Sequence, residues 1–83
     1  MIRPMTRVLL AEDDAAISDP LARALVREGY EVTVHEDGRD ALDAAVGTPP
    51  DLLVLDLGLP DLDGTEVISG LRGWNNVPII VLS

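Results

Sequence analysis

The sequence predicts an α/β fold, a doubly wound parallel sheet, from three observations. Short apolar runs alternate with amphipathic stretches along the chain, the order that right-handed βαβ crossovers produce when helices cover both faces of a sheet. Two runs, Val8-Leu9-Leu10-Ala11 and Leu52-Leu53-Val54-Leu55, end in carboxylates, Glu12-Asp13-Asp14 and Asp56. Buried parallel strands read as such near-continuous apolar runs and keep their sites at the carboxyl edge. The chain is also 47% hydrophobic with only Tyr30 and Trp74 as aromatics, so its core is aliphatic and suited to layered β/α packing.

The elements follow in order. Residues 1–5 read as a loose lead-in without the apolar stretch of a signal peptide. Residues 6–11 form the first strand. Ile17, Leu21, Ala24 and Leu25 then recur at helical spacing, and Gly29 closes that helix as its C′ residue. Pro20 admits two readings: it removes one or two of the early intrahelical bonds, or it starts a shorter helix capped by Asp19. Glu31-Val32-Thr33-Val34-His35 alternates and is β-branched, like a short strand near a sheet edge. The second helix covers 40–46, with Leu42, Ala45 and Val46 on one face, and Gly47-Thr48-Pro49-Pro50 breaks it. Residues 52–56 are the third strand. Val67, Ile68 and Leu71 mark a third helix ended by Gly73, and residues 77–82 make a fourth strand with Pro78 near its start, where a missing N–H is tolerated.

Length and charge set bounds on function. A chain of 83 residues is one small domain with a limited core. Fifteen acidic residues against six basic ones give a net charge of −9, which repels phosphate backbones and anionic membranes. Direct nucleic-acid or membrane binding by this segment is therefore not expected; cations and basic protein surfaces are the natural partners. No cysteine is present, so there is no disulfide or thiolate site, in keeping with a reducing, cytoplasmic setting. No apolar run approaches the roughly 18 residues of a membrane span.

If the two acid-ended strands are neighbours, Asp13 and Asp56 meet at one edge. Crowded carboxylates are unfavourable unless a proton or cation sits among them, so the arrangement asks for a hard divalent metal with oxygen ligands. Alone, Glu12-Asp13-Asp14 reads more readily as a solvated turn capping a helix; Asp56 at a second strand end reverses the preference to the metal site. His35 reads as an exposed strand-end residue and Trp74 as a partly exposed loop aromatic. Asp37, Asp40, Asp43, Asp61 and Asp63 read as solvated charge near helix starts and turns.

Four segments in this order, Leu9-Leu10-Ala11-Glu12-Asp13-Asp14, Pro50 through Pro60 around Asp56, Asp63-Gly64, and Val77-Pro78-Ile79-Ile80-Val81-Leu82-Ser83, resemble the receiver domain of two-component response regulators. The resembling class usually precedes a winged-helix DNA-binding domain and has a flavodoxin-like fold. The spacing of Asp13, Asp56 and Ser83 also fits. The resemblance implies that Asp56 accepts a phosphoryl group from a histidine kinase and that the domain then switches conformation to regulate a transcriptional output. It implies Mg²⁺ held by Asp13, by Glu12 directly or through water, by Asp56, and by the backbone carbonyl of Gly58. Ser83 matches the switch hydroxyl, Asp14 can cap the first helix, and Pro60 with Asp63-Gly64 shapes the loop, Gly64 for its backbone conformation. DNA contact would fall to a C-terminal domain beyond this segment.

By the family's pattern the domain over residues 1–83 reads as C-terminally incomplete, with the last helix-strand-helix segment missing and with it a lysine and an aromatic switch partner. All six basic residues are arginines, and none takes the lysine's place. Two further classes follow. An aspartate-nucleophile phosphatase would want a general acid two residues after Asp56, where Gly58 stands. An association fragment would pair through an exposed fourth strand and bare helix faces. The leading expectation is a phosphoacceptor module that is not an enzyme beyond its own phosphorylation and dephosphorylation.

Overall fold

The computed structural model describes residues 6–82, so the expected lead-in over 1–5 and the switch hydroxyl of Ser83 lie outside the described residues. Strands and helices alternate as β1 (Arg7–Ala11), α1 (Ala15–Arg27), β2 (Glu31–His35), α2 (Gly38–Gly47), β3 (Leu52–Leu55), α3 (Gly64–Arg72) and β4 (Ile79–Val81). The sheet order is β2-β1-β3-β4 with every pair parallel. The chain therefore leaves β1 toward one edge and later returns to its other side at β3. That reversal makes the carboxyl ends of β1 and β3 the topological switch point, where open parallel sheets form a crevice. β2 is an edge strand, as its alternating polar residues suggest.

Alternate residues divide the core between two faces. Leu9, Ala11, Leu53 and Leu55 pack with Ala41 and Ala45 of α2 and with Val67 and Leu71 of α3. Val8, Leu10 and Val54 pack on the opposite face with Leu21, Ala22 and Leu25 of α1, together with Tyr30 and Val32. The sequence places Ile17 and Ala24 in the α1 stripe, yet Ile17 is 47% exposed and Ala24 lies in solvent. The buried line of α1 instead runs through Ser18, Leu21, Ala22 and Leu25, of which Ser18 is fully covered. These positions follow the i, i+3, i+4, i+7 spacing, and a serine at the first of them hides the line from any count of apolar residues.

The helix ends explain the remaining differences. Asp14 caps α1 by accepting from the Ala16 amide at 2.9 Å, so Pro20 lies inside the helix and Asp19 is not its cap. Gly29 ends it at φ 97°, with Gly29 N–H donating to the Val26 carbonyl and Tyr30 N–H to the Leu25 carbonyl. This is the paired closure that a C′ glycine permits. α2 begins at Gly38, two residues before the expected Asp40, because Asp37 serves as its cap. β4 is shorter than the expected 77–82: the Val77 amide donates to Asn75 Oδ1 at 3.1 Å, and Pro78 has no amide to offer. Trp74 is 74% exposed, as expected of a loop aromatic, while His35 is half-buried rather than exposed.

Candidate functional site

Backbone hydrogen bonds carry the sheet one residue past its strands and place the acids. Glu12 N–H donates to the His35 carbonyl and Asp56 N–H to the Ala11 carbonyl, both at 3.0 Å. One step beyond the last registered pair, Ala11 with Leu55, stand Glu12 and Asp56. Carboxylate oxygens of Glu12, Asp13 and Asp56 lie within 4.8 Å of one another, with Glu12 buried, Asp56 half-buried and Asp13 exposed. The third strand closes at Leu55, so Asp56 sits just off its end rather than within it.

The environment of Glu12 shows what the cluster calls for. Its side chain is only 2% exposed. Burial pushes its carboxyl above the ordinary 4.5, the Asp14 amide pulls it partly back, and neighbouring Asp56 and Asp13 push it up again. A buried acid crowded by two others is stabilised by a proton or by a cation. The donors are all carboxylate oxygens, and Mg²⁺ takes oxygen ligands at about 2.0–2.1 Å while keeping several waters. The spread of these oxygens fits a hard cation that takes part of its shell directly and part through water. Glu12, Asp13 and Asp56 therefore suit Mg²⁺.

The loop after Asp56 is fixed at several points. Gly58 N–H donates to Asp56 Oδ1 at 3.0 Å and so orients the carboxylate. Gly64 N–H donates to the Leu57 carbonyl at 3.2 Å, closing the loop on itself. Gly64 does not have the positive φ that its expected conformational role implies; Gly29 alone has one among the described residues. It is needed for contact, since a Cβ there would lie 2.6 Å from the Leu57 Cα. Asp63 caps α3 through the Thr65 amide at 3.0 Å. Asp61, read from sequence as solvated charge, instead accepts from the Gly38 and Arg39 amides at 2.7 and 3.0 Å. Nothing in the local sequence signals those bonds, because both partners lie on α2, more than twenty residues earlier in the chain. Asp37 was legible in principle: an aspartate followed by Asp40 three residues on is a helix-start pattern.

Residues 8–83 match the family model of the response regulator receiver domain. The chain belongs to that family. This receiver is 48% identical over 79 residues to the transcriptional regulatory protein KdpE of Mycobacterium tuberculosis. It is 49% identical over 79 residues to the KDP operon transcriptional regulatory protein KdpE of Escherichia coli. Each match takes in 95% of the receiver but 35% of the relative, so the chain spans about a third of the length of those proteins. Among solved structures, the receiver domain of a Pseudomonas aeruginosa sensor histidine kinase superposes with a TM-score of 0.90 at 33% identity, over 95% of this chain and 67% of that one. That neighbour has a magnesium ion coordinated in its active-site cleft. A CheY-like receiver domain protein from Methanospirillum hungatei superposes with a TM-score of 0.85 at 29% identity, over 93% of this chain and 62% of that one. Among the described residues, no helix of the receiver is long and apolar enough to cross a membrane.

Proposed function

We propose that this receiver accepts a phosphoryl group on Asp56 from a histidine kinase and relays the change to a transcriptional output. The observation that carries the reading is the convergence of Glu12, Asp13 and Asp56 within 4.8 Å at the switch point. One Asp56 oxygen attacks the phosphorus of a phosphohistidine; the new O–P bond forms as the P–N bond breaks, and the electron pair departs with the imidazole, which takes up a proton. Gly58 N–H orients the attacking carboxylate through Oδ1. Glu12, Asp13, Asp56 and the Gly58 carbonyl would hold Mg²⁺, which when bound neutralises charge on the phosphoryl oxygens. Ser83 is the switch hydroxyl in this reading, supported by Leu82 N–H donating to the Leu55 carbonyl at 2.9 Å, which brings the chain to the carboxyl edge of β3 one residue earlier.

The reading makes Asp56 a stoichiometric acceptor in a cytoplasmic phosphorelay, with no turnover of other phosphate esters. DNA contact belongs to a region of the relatives that this chain does not span, consistent with its net charge of −9. Intact mass after incubation with Mg²⁺ and a small phosphoramidate tests the proposal. One added phosphoryl group on the wild-type chain, missing from Asp56→Asn, is expected; labelling that survives the substitution would sink the assignment.

A second reading, association between copies through β4, is favoured by the outer position of that strand in the sheet among the described residues and by Ile80, Val81 and Leu82 at 52%, 44% and 38% exposure. Exposed apolar edges are templates for pairing. Sedimentation across a concentration series is expected to show self-association that Ile80→Lys weakens, and an unchanging monomer would end that reading.

A further inference from the structure

We infer that Asp61 is a positioning residue, clamping the loop over 57–63 to the first turn of α2 and so holding Gly58 and Asp56 in place at the acidic site. The start of α2 shows how complete the clamp is. A helix leaves its first amides without intrahelical partners. Here Asp61 Oδ1 takes the Gly38 amide and Oδ2 the Arg39 amide, while Asp37 Oδ1 takes the Asp40 amide at 2.8 Å. Two of those donors are thus satisfied by the site loop rather than by the helix's own cap. Both bonds are charge-assisted, the stronger class of hydrogen bond. In keeping with this, the Gly38 amide foremost holds the Asp61 carboxyl below its ordinary 3.8.

Packing gives independent support. A Cβ on Gly38 would stand 2.7 Å from the Leu62 Cβ and 3.3 Å from the Leu62 carbonyl oxygen, so the helix start and the loop meet with no room for a methyl group. Leu59 is buried in the core shared with α2, and Leu62 packs against it. The loop is therefore held at Leu59 and Leu62 by apolar contact, at Asp61 by two amides, and at its ends by Gly58 N–H on Asp56 and Gly64 N–H on Leu57. Asp61 ties the middle of the loop to α2 through both of its carboxylate oxygens.

The inference rests on the proposed Mg²⁺ and phosphoacceptor reading for its consequence, so the test separates the two. Amide hydrogen exchange at Gly58 and Gly64 is measured by NMR in the wild-type chain, Asp61→Ala, Asp61→Asn and Asp37→Ala, followed by a Mg²⁺ titration of each. Asp37→Ala removes a cap from the same helix without touching the loop. Asp61→Ala is expected to speed exchange at both glycines by about five- to tenfold and to weaken Mg²⁺ binding by a similar factor, as loss of a charged cap would. Asp61→Asn, which keeps an acceptor oxygen without the charge, is expected to fall between, and it carries the comparison if the alanine variant does not fold. Exchange at wild-type rates in both Asp61 variants, or the same acceleration in Asp37→Ala, would overturn the clamp. A wild-type chain that takes up no Mg²⁺ would instead overturn the reading of the site, with the exchange arm still deciding the clamp.

Discussion

The two faces of the sheet are built differently. On the α2–α3 side, Ala41, Ala45, Leu53, Leu55, Val67 and Leu71 are all 0% exposed, and glycines bring backbone against side chain at Gly38, Gly64 and Gly70. On the α1 side the strand residues are equally covered, with Val8 and Leu10 at 1% and 0%, but the helix above them is not: Ile17 and Val26 are 47% and 57% exposed. Among the described residues, one face is an interlocked layer, and the other carries a single helix, α1, resting along a narrow line. The site loop is attached to the interlocked layer, through Leu59, Leu62 and Asp61. The placement of Asp56 and Gly58 thus depends on the α2–α3 side, whereas Glu12 and Asp13 lead directly into α1.

The sharpest way to break this contrast is to cut equal side chains on the two faces. Leu71→Ala is expected to cost about 3 kcal/mol, since a fully buried leucine leaves a cavity. Leu25→Ala, half-buried on α1, is expected to cost about 1 kcal/mol. Urea unfolding curves read both, and equal losses would remove the asymmetry.

A smaller effect is expected from adding a methyl group rather than removing several. Gly64→Ala must displace the Leu57 backbone, at an expected cost of about 1–3 kcal/mol, and it should disturb the amide signals of Asp56 and Gly58. Gly47→Ala, with nothing within 4 Å, is expected to be neutral or to stabilise by about 0.5 kcal/mol through the helix propensity of alanine. Thermal melts with NMR spectra separate them; a Gly64→Ala chain with unchanged stability and spectrum would show that the loop yields freely to a methyl group.

The smallest effect concerns acid. The Gly38 amide foremost lowers the Asp61 carboxyl, and the Thr65 amide foremost lowers that of Asp63, each from an ordinary 3.8. Because the folded chain favours both ionised forms, their contribution is fully present above about pH 5 and is lost as pH falls through the depressed folded values. Asp61→Asn and Asp63→Asn are expected to flatten the acid limb of stability below about pH 4 and to leave its neutral plateau shape intact. Acid titrations followed by circular dichroism check this, and an acid limb unchanged in both variants would show that these carboxylates do not report on the loop.

Much of this was legible in the sequence where the signal is local. The apolar runs ending in Glu12-Asp13 and Asp56 gave strands, edge and acids together, because a buried parallel strand must be apolar and its site must follow it. Gly29 announced its own positive φ. The failures share a cause. Ser18 lies on the buried line of α1 although serine carries no apolar signal, Gly64 is needed for a neighbour's backbone rather than its own torsion, and Asp61 reaches amides on a helix 22 and 23 residues away along the chain. Each depends on what stands opposite in space, which a one-dimensional pattern does not encode.

Pairing of β1 with β3 has a consequence for the order of events during folding. Glu12 and Asp56 become neighbours only through that non-local register, which closes a long loop and belongs to the slower class of folding steps. A chain whose helices have formed but whose central strands have not met possesses every acidic residue and no site. Any cation that binds the assembled carboxylates but not the open chain therefore raises the stability of the whole domain by mass action. Occupancy of the acidic edge and stability of the whole domain are then thermodynamically linked, and the linkage is measurable as a melting temperature that climbs with cation concentration.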